Sequence, residues 1–280
     1  MTESMKIVAR TTASPKEVHH ALTDAATLRG WLAEHARVEL PERYEFWGRY
    51  TPRGDVPRQR LLHVDDLTLR FAWTLDGVER TTEFALAEQD GGGTLITIAQ
   101  EGIDPGLAER EEGVKNVLFT FWYLASANLV DLVEGRPVTG WCDFTDGDLR
   151  AEVEIAAPRE RVYDALTDGE KATEWFGYPI GIEPFVGGRY AMGGLEDDHG
   201  GARIVDLEPG RRMGVDWGAD MGVTTWELAD SGGGTRLTFV QSGFDDGDQV
   251  FAGWCGSVSG LAELRRYLEF PDWRSIWVTA

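Results

Sequence analysis

The chain has 280 residues, of which 42% are hydrophobic and 27% charged, a composition typical of globular proteins and not of disordered chains. Its 27 basic and 48 acidic residues give a net charge of -21, which repels nucleic acid phosphates and anionic lipids. We therefore expect no nucleic acid partner and no membrane partner.

The N-terminal segment "MTESMKIVAR" has no apolar stretch of signal-peptide length. No run of the sequence approaches the roughly 20 apolar residues that span a bilayer, so we expect a cytoplasmic protein. The two cysteines, Cys142 and Cys255, are too few for a disulfide framework and lack the CxxC spacing of a zinc site. We expect buried thiols, no metal site and no cofactor.

The first half begins with a predicted strand in "KIVARTT", followed by a helix in "SPKEVHHALTD". Ser14 is a suitable N-cap and Pro15 suits the first helical position. A second short helix ends at Trp31, and short segments of alternating apolar residues follow. The glycine triplet in "EQDGGGTLITIAQ" predicts a tight hairpin, and a long helix is predicted over residues 112–134.

The same order of elements returns in the second half. The segment "ALTDAATLRGWLAE", starting at Ala21, reappears as "ALTDGEKATEWFGY", starting at Ala165, and "ADSGGGTRLTFVQSGFD" repeats the hairpin. Another long helix is predicted over 248–269. The duplication predicts two domains, 1–138 and 149–270, joined by a linker at 139–148 that is rich in Gly, Pro and Asp, with a C-terminal tail at 271–280.

Each half therefore predicts a strand, two short helices, about six antiparallel strands and one long C-terminal helix. This order indicates an α+β fold of two tandem helix-grip domains, each a curved antiparallel sheet around its long helix. A strongly bent sheet cannot close completely against one helix, so a pocket remains between them unless large side chains fill it.

Four segments of the second half carry a resemblance to a known family: "APRERVYDALTDGEKATEWF", "GGRY", "TRLTFVQSGF" and "GWCGSVSGLAELRRYL". They resemble the START/Bet v 1-like (SRPBCC) superfamily, nearest to bacterial proteins similar to the C-terminal domain of the activator of Hsp90 ATPase. The first half is more diverged. The resemblance implies a helix-grip fold in a superfamily of lipid carriers, polyketide cyclases, resistance proteins and co-chaperones, with tandem members in polyketide and enediyne pathways.

Aromatic residues recur at equivalent positions of the two halves. Strand alternation places Phe71 with Trp73, and Val215 with Trp217, on a face directed toward the long helix. These side chains either form ordinary core or line a cavity for an apolar, flat ligand. The tryptophan pairs are Trp31 with Trp175, Trp73 with Trp217, and Trp122 with Trp254.

The two long helices differ on their inward sides. The second has Gly253, Gly256 and Gly260 beside its apolar stripe, although each mid-helix glycine costs about 1 kcal/mol relative to alanine. The three glycines therefore indicate that this side of the helix must stay free of side chains, either for close packing of another segment or for a ligand. In the first helix Asn128 takes the place of Gly260 and Phe121 faces inward.

Gln100 continues the strand alternation of Ile96 and Ile98, and Gln241 continues that of Leu237 and Phe239, so both point to the buried face. Together with Asn128 they are the polar groups expected to meet a ligand, with hydrogen bonding at the sheet edge as the alternative. The predicted ligand-binding residues are Trp31, Phe71, Trp73, Gln100, Phe121, Trp122, Asn128, Trp175, Val215, Trp217, Gln241, Gly253, Trp254, Gly256 and Gly260.

Catalytic motifs are missing from the sequence: there is no HExxH, GxSxG, Walker loop or GxGxxG. Catalytic residues are therefore unknown, with His63 and Asp216 left open as a general acid or base. The segment "LEDDHGG" around His199 is interpreted as a solvated hairpin tip rather than a cation site.

These observations favour a protein that binds or sequesters an elongated apolar small molecule, such as a polyene or polyketide intermediate, in bacterial secondary metabolism. The alternatives are a polyketide cyclase or aromatase and an Hsp90-type co-chaperone. Proteins of a polyketide synthase pathway are the partners that this hypothesis suggests.

The apolar back of the first long helix, at Phe119, Tyr123 and Val130, predicts contact with the other domain or with another chain. In the first case we expect the inner volume to be continuous between the domains. Because Trp273 and Trp277 lie in a segment too short to have its own core, we expect the tail to cross onto the first domain with both indoles as anchors.

Overall fold

The computed structural model describes residues 4–103, 113–147, 149–196, 201–218, 220–244 and 247–278. The chain divides into two units. Unit 1 contains Met1–Asp146 and Ile276–Ala280, and unit 2 contains Gly147–Ser275. The division falls within the segment predicted as a linker, 139–148.

Unit 1 is a mixed α+β unit whose strands pair antiparallel. Its elements in chain order are β1 (Ser4–Thr11), α1 (Pro15–Thr23), α2 (Ala25–Leu28), β2 (His35–Glu39), β3 (Arg43–Trp47), β4 (Gln59–Val64), β5 (Thr68–Leu75), β6 (Val78–Glu88), β7 (Thr94–Glu101) and α3 (Val114–Val133). Five strands form one sheet in the order β1-β7-β6-β5-β4, and β2 pairs with β3.

Unit 2 repeats this arrangement. Its elements are β8 (Leu149–Ile155), α4 (Arg159–Thr167), α5 (Gly169–Phe176), β9 (Ile180–Ile182), β10 (Tyr190–Met192), β11 (Arg203–Glu208), β12 (Arg212–Asp216), β13 (Val223–Ser231), β14 (Gly234–Ser242) and α6 (Asp248–Glu269). The five-stranded sheet has the order β11-β12-β13-β14-β8, and β9 pairs with β10. The predicted tandem α+β fold is confirmed.

The sequence signals for the first helix and for the hairpins act as predicted. Ser14 caps α1 in a reciprocal arrangement with Glu17, in which each side chain accepts from the other residue's backbone N–H. The β6–β7 hairpin turns through Gly91, Gly92 and Gly93, whose φ angles are 94°, 97° and 91°. Glycine adopts these left-handed conformations without a steric penalty, which is why the triplet marks the turn.

Strand register shows that the two sheets are equivalent residue by residue. In each sheet a central residue pairs with a threonine, and that threonine pairs with a buried glutamine. The rows are Phe71, Thr82 and Gln100 in unit 1 and Val215, Thr224 and Gln241 in unit 2. Trp73 and Trp217 follow two residues after the first member of each row, as the repeat predicts.

Each unit has one long helix, α3 in unit 1 and α6 in unit 2, and both are largely buried. Helix α6 has the predicted bounds, and α3 starts at Val114, with the predicted residue 112 outside the described part of the chain. Helix α3 is long and apolar enough to cross a membrane, but 67% of its most apolar window is buried inside the structure. It therefore has the environment of a core helix. Cys142 and Cys255 are buried thiols, as predicted.

The last described residues of the chain extend the edge of the unit 1 sheet. Arg10 N donates to Ile276 O at 2.7 Å, and Val278 N donates to Val8 O at 2.8 Å. Ile276 is 2% exposed. The expected return of the tail to the first domain is thus confirmed.

The two tail tryptophans have different partners. Trp277 packs edge-on against Tyr123 of α3, with 5.2 Å between ring centroids, and its indole donates to Ser126 Oγ at 3.1 Å. Trp273 instead donates to Glu263 of α6 at 2.9 Å, so its expected role as an anchor on the first domain is wrong. Trp277 covers part of the apolar back of α3.

Candidate functional site

The space between the unit 1 sheet and α3 is filled by aromatic rings. Trp73 lies 5.9 Å from both Phe121 and Trp122, measured between ring centroids, and Phe84 lies 5.5 Å from Trp122. This direction of Trp73, toward the helix, is the predicted one. The aromatic cluster consists of Trp31, Tyr44, Phe46, Phe71, Trp73, Phe84, Phe121 and Trp122, all at most 3% exposed.

The buried glutamine of unit 1 is engaged in this cluster. Gln100 Oε1 accepts from Thr82 Oγ1 at 2.7 Å and from Trp122 Nε1 at 3.0 Å, and its Nε2 donates to Thr81 O at 3.3 Å. Each hydrogen bond replaces one that water would make, so the amide is satisfied inside an apolar core. Gln100 therefore fixes the position of the Trp122 indole.

Three other predicted site residues also hold structural hydrogen bonds. Trp31 Nε1 donates to Ala21 O at 3.0 Å, and the equivalent Trp175 donates to Ala165 O at 2.8 Å. Asn128 receives Thr139 N on its Oδ1 and donates to Gly140 O, fastening the segment after α3. A ligand-binding role for these residues stays a prediction.

At four inward positions unit 2 carries a smaller residue than unit 1, and at two of them the unit 1 residue is a phenylalanine. Aligning α3 and α6 on Trp122 and Trp254 places Gly253 opposite Phe121, Gly256 opposite Leu124 and Gly260 opposite Asn128. The sheet register adds a fourth difference, with Val215 at the position of Phe71. Gly256 is half-buried. Helix α6 itself therefore carries no side chain at three points where α3 carries one.

Side chains from outside α6 occupy this space. A Cβ at position 253 would lie 2.5 Å from Met221 Cε, and one at position 260 would lie 2.6 Å from Phe176 Cε2. Real Cβ contacts are essentially never so short, so both glycines permit close packing. We call the depression in α6 at Gly253, with Met221 seated in it, the Gly253 notch.

The loop between β12 and β13 carries Met221 to this notch. Gln241 Nε2 donates to Met221 O at 2.8 Å, and Trp217 Nε1 donates to Thr224 Oγ1 at 2.8 Å. Gln241 is 2% exposed, whereas Trp217 is half-buried. The structure thus brings two predicted site residues, Gln241 and Gly253, against Met221, which the sequence analysis did not single out. A third, Trp217, begins the same loop.

A column of rings lies beside the notch. Trp254 stacks on Phe239 with 4.9 Å between centroids, Phe239 meets Trp226 at 5.1 Å, and Tyr190 lies 5.4 Å from Trp217. Burial raises the pKa of Tyr190, so its hydroxyl keeps its proton at neutral pH. The sequence analysis did not predict Met221, Tyr190 or Trp226 as site residues. The glycines that flank "ADM" in "WGADMG" indicate a tight loop and could have drawn attention to Met221.

The acid and base candidates lie in different units: His63 is on β4 of unit 1, and Asp216 ends β12 at the base of the loop that carries Met221. His63 is exposed and contacts Asp65 at 2.9 Å, and Asp216 Oδ1 accepts from Gly218 N at 2.9 Å. His199 lies outside the described residues. Within the described part of the chain, no group of three or more His, Cys, Asp or Glu side chains is placed to hold a metal ion.

One surface cleft of about 600 Å³ lies between α1 and the end of α3 in unit 1. It is open to solvent and contains none of the predicted ligand-binding residues. Its lining is Ser14, Lys16, Glu17, His20, Ala21, Thr27, Leu132 and Val133.

The fold and core of unit 2 define a helix-grip domain. Residues 156–266 match the model of the family described as "Activator of Hsp90 ATPase homolog 1-like protein". The match covers most of unit 2 and confirms the resemblance predicted for the second half. No curated protein matches the chain.

Solved structures similar to the chain include DynU16, a putative protein in the dynemicin biosynthetic locus, with 17% identity, TM-score 0.41, and coverage of 94% of this chain and 97% of that one. CalU16 from Micromonospora echinospora has 22% identity, TM-score 0.38, and coverage of 48% and 76%. The Aha1 dimer from Colwellia psychrerythraea has 19% identity, TM-score 0.38, and coverage of 46% and 100%.

Proposed function

We propose that the chain binds an elongated apolar small molecule and that unit 2 holds a ring-sized part of it between β12 and α6. The observation that carries this proposal is the replacement of Phe71 and Phe121 of unit 1 by Val215 and Gly253 in unit 2. At these two positions unit 2 lacks the phenyl rings of unit 1, and the side chain seated at the notch is a flexible thioether. Elsewhere in the same space Phe239 and Trp226 of unit 2 replace Ile98 and Phe84, so the rings are redistributed toward Trp254. A polyene or polyketide ligand and a place in bacterial secondary metabolism follow from the sequence resemblance and not from the geometry.

The polar groups at the notch support binding more than catalysis. Gln241, Trp217 and Thr224 carry an amide, an indole N–H and a hydroxyl. These groups hold hydrogen bonds but do not transfer protons readily near neutral pH, unlike the side chains that enzymes use as general acids and bases. Asp216, at the base of the Met221 loop, is a carboxylate whose Oδ1 already accepts from Gly218 N. Binding or sequestration is therefore favoured over a cyclase.

Titration with Nile red, a neutral flat dye that fluoresces in apolar surroundings, tests the proposal. The protein should bind the dye saturably, and Gly253→Phe should weaken binding at least about tenfold, because the new ring occupies the position that Phe121 fills in unit 1. The new Cβ meets only the far end of Met221, which can move.

Gln249→Phe is the matched control, since it adds the same ring to an exposed position of α6. It should leave the dye affinity unchanged. Absence of saturable binding, or equal affinity of Gly253→Phe and the unchanged protein, would contradict the proposal.

A further inference from the structure

The residue in the Gly253 notch is held differently from its counterpart in unit 1. Phe121 belongs to α3 itself and is buried against Trp73 and Trp122. Met221 belongs to a loop, and its unbranched thioether side chain has three rotatable bonds. It can leave the notch while α6 stays intact.

The loop that carries Met221 is closed on itself. Trp217 N donates to Gly222 O at 2.9 Å, and Gly222 N donates to Gly218 O at 2.7 Å. Gly218 and Gly222 have φ angles of 94° and 68°, which only glycine adopts without strain. The loop therefore keeps its own hydrogen bonds when the Met221 side chain moves.

Gln241 is the polar group next to the Met221 side chain. Its buried Nε2 donates one N–H to Met221 O, and the amide nitrogen has a second N–H that a ligand can meet once the side chain has moved. Gln100, its equivalent in unit 1, has its oxygen engaged by Thr82 and Trp122 within the aromatic cluster. The Gln241 amide of unit 2 thus binds a loop residue with a movable side chain. The Gln100 amide of unit 1 binds side chains of the aromatic cluster.

We propose that Met221 occupies the place of the ligand in this structure. The ligand displaces the Met221 side chain with a flat apolar ring and presents a carbonyl oxygen that accepts the second N–H of Gln241 Nε2, while Met221 O keeps the first. This inference rests on the proposed function and narrows it to flat aromatic ketones, with Gln241 as the specificity-determining residue.

Fluorenone and fluorene test this inference, because they share one ring system and differ by the carbonyl. Their affinities are measured by displacement of Nile red. The unchanged protein should bind fluorenone about tenfold more tightly than fluorene, the ratio expected for one buried hydrogen bond. Gln241→Met should abolish this preference, so that fluorenone and fluorene bind with equal affinity.

Met221→Ala should raise the affinity for both compounds several-fold, because no side chain then has to be displaced. Met192→Ala, which shortens an exposed methionine of the same unit, is the control and should change neither affinity. If Gln241→Met fails to fold by circular dichroism, Gln241→Leu removes the same donor.

Two results separate this inference from the proposed function. If Nile red binds and Gly253→Phe abolishes binding, but the Met221 and Gln241 variants retain both affinities, the inference is overturned and the proposed function stands. If neither the unchanged protein nor Met221→Ala binds any of the three compounds, both are overturned.

Discussion

Replacement of Trp122 by alanine is expected to lower the free energy of unfolding of unit 1 by about 4 kcal/mol, the range measured for large aromatic side chains removed from cores. Trp122 is fully buried and lies within 6 Å of Trp73, Phe84 and Phe121, measured between ring centroids. Its loss also removes one of the two donors to Gln100. Chemical denaturation, with hydrogen exchange to assign the loss to unit 1, measures the effect.

Trp122→Phe is the matched variant for this experiment. It keeps most of the ring contacts, and Thr82 still donates to Gln100, so a loss of about half the alanine value is expected. Equal stability of Trp122→Ala and the unchanged protein would show that the aromatic cluster does not hold unit 1 together.

Truncation after Ser275 is expected to destabilise unit 1 by about 3 kcal/mol, from the buried Ile276 side chain and two backbone hydrogen bonds to β1. It would also expose the Tyr123 ring that Trp277 covers and free the outer edge of β1. A free strand edge pairs readily with other chains, so self-association should rise. Thermal melting and sedimentation measure the two effects.

Truncation after Val278 is the control, because it retains both backbone hydrogen bonds and the Trp277 contacts. Its melting temperature should equal that of the 280-residue chain. An unchanged melting temperature after truncation at Ser275 would mean that the pairing with β1 contributes nothing to stability.

The architecture of both units could be predicted because local signals and periodicity agree. Ser14 and Pro15 fix the start of α1, glycine triplets fix the hairpins, and an alternating pattern places Phe71 and Trp73 toward the helix. Because the chain is duplicated, most of these local patterns occur twice, and each copy supports the prediction made from the other. The bounds of α6 and the equivalence of the tryptophan pairs were predicted from the sequence alone.

The composition of the site could not be predicted, because it depends on contacts between distant segments. Asn128 and Gln100 are polar residues in apolar rows, and the sequence does not show that Gly140 and Trp122 satisfy them. The glycines of α6 indicate that space is needed, but only the fold shows that Met221 comes from a loop to occupy it. For the same reason Trp273 was assigned to the wrong unit.

Nuclear magnetic resonance of the methionine methyl groups tests most directly whether a ligand binds at the Gly253 notch. The chain has five methionines, and Met221→Ala assigns the resonance of interest. On saturation with Nile red or fluorenone, the Met221 methyl should show the largest shift of the five, while the exposed Met192 methyl stays in place. A Met221 resonance that does not move while the compound is bound would contradict the account.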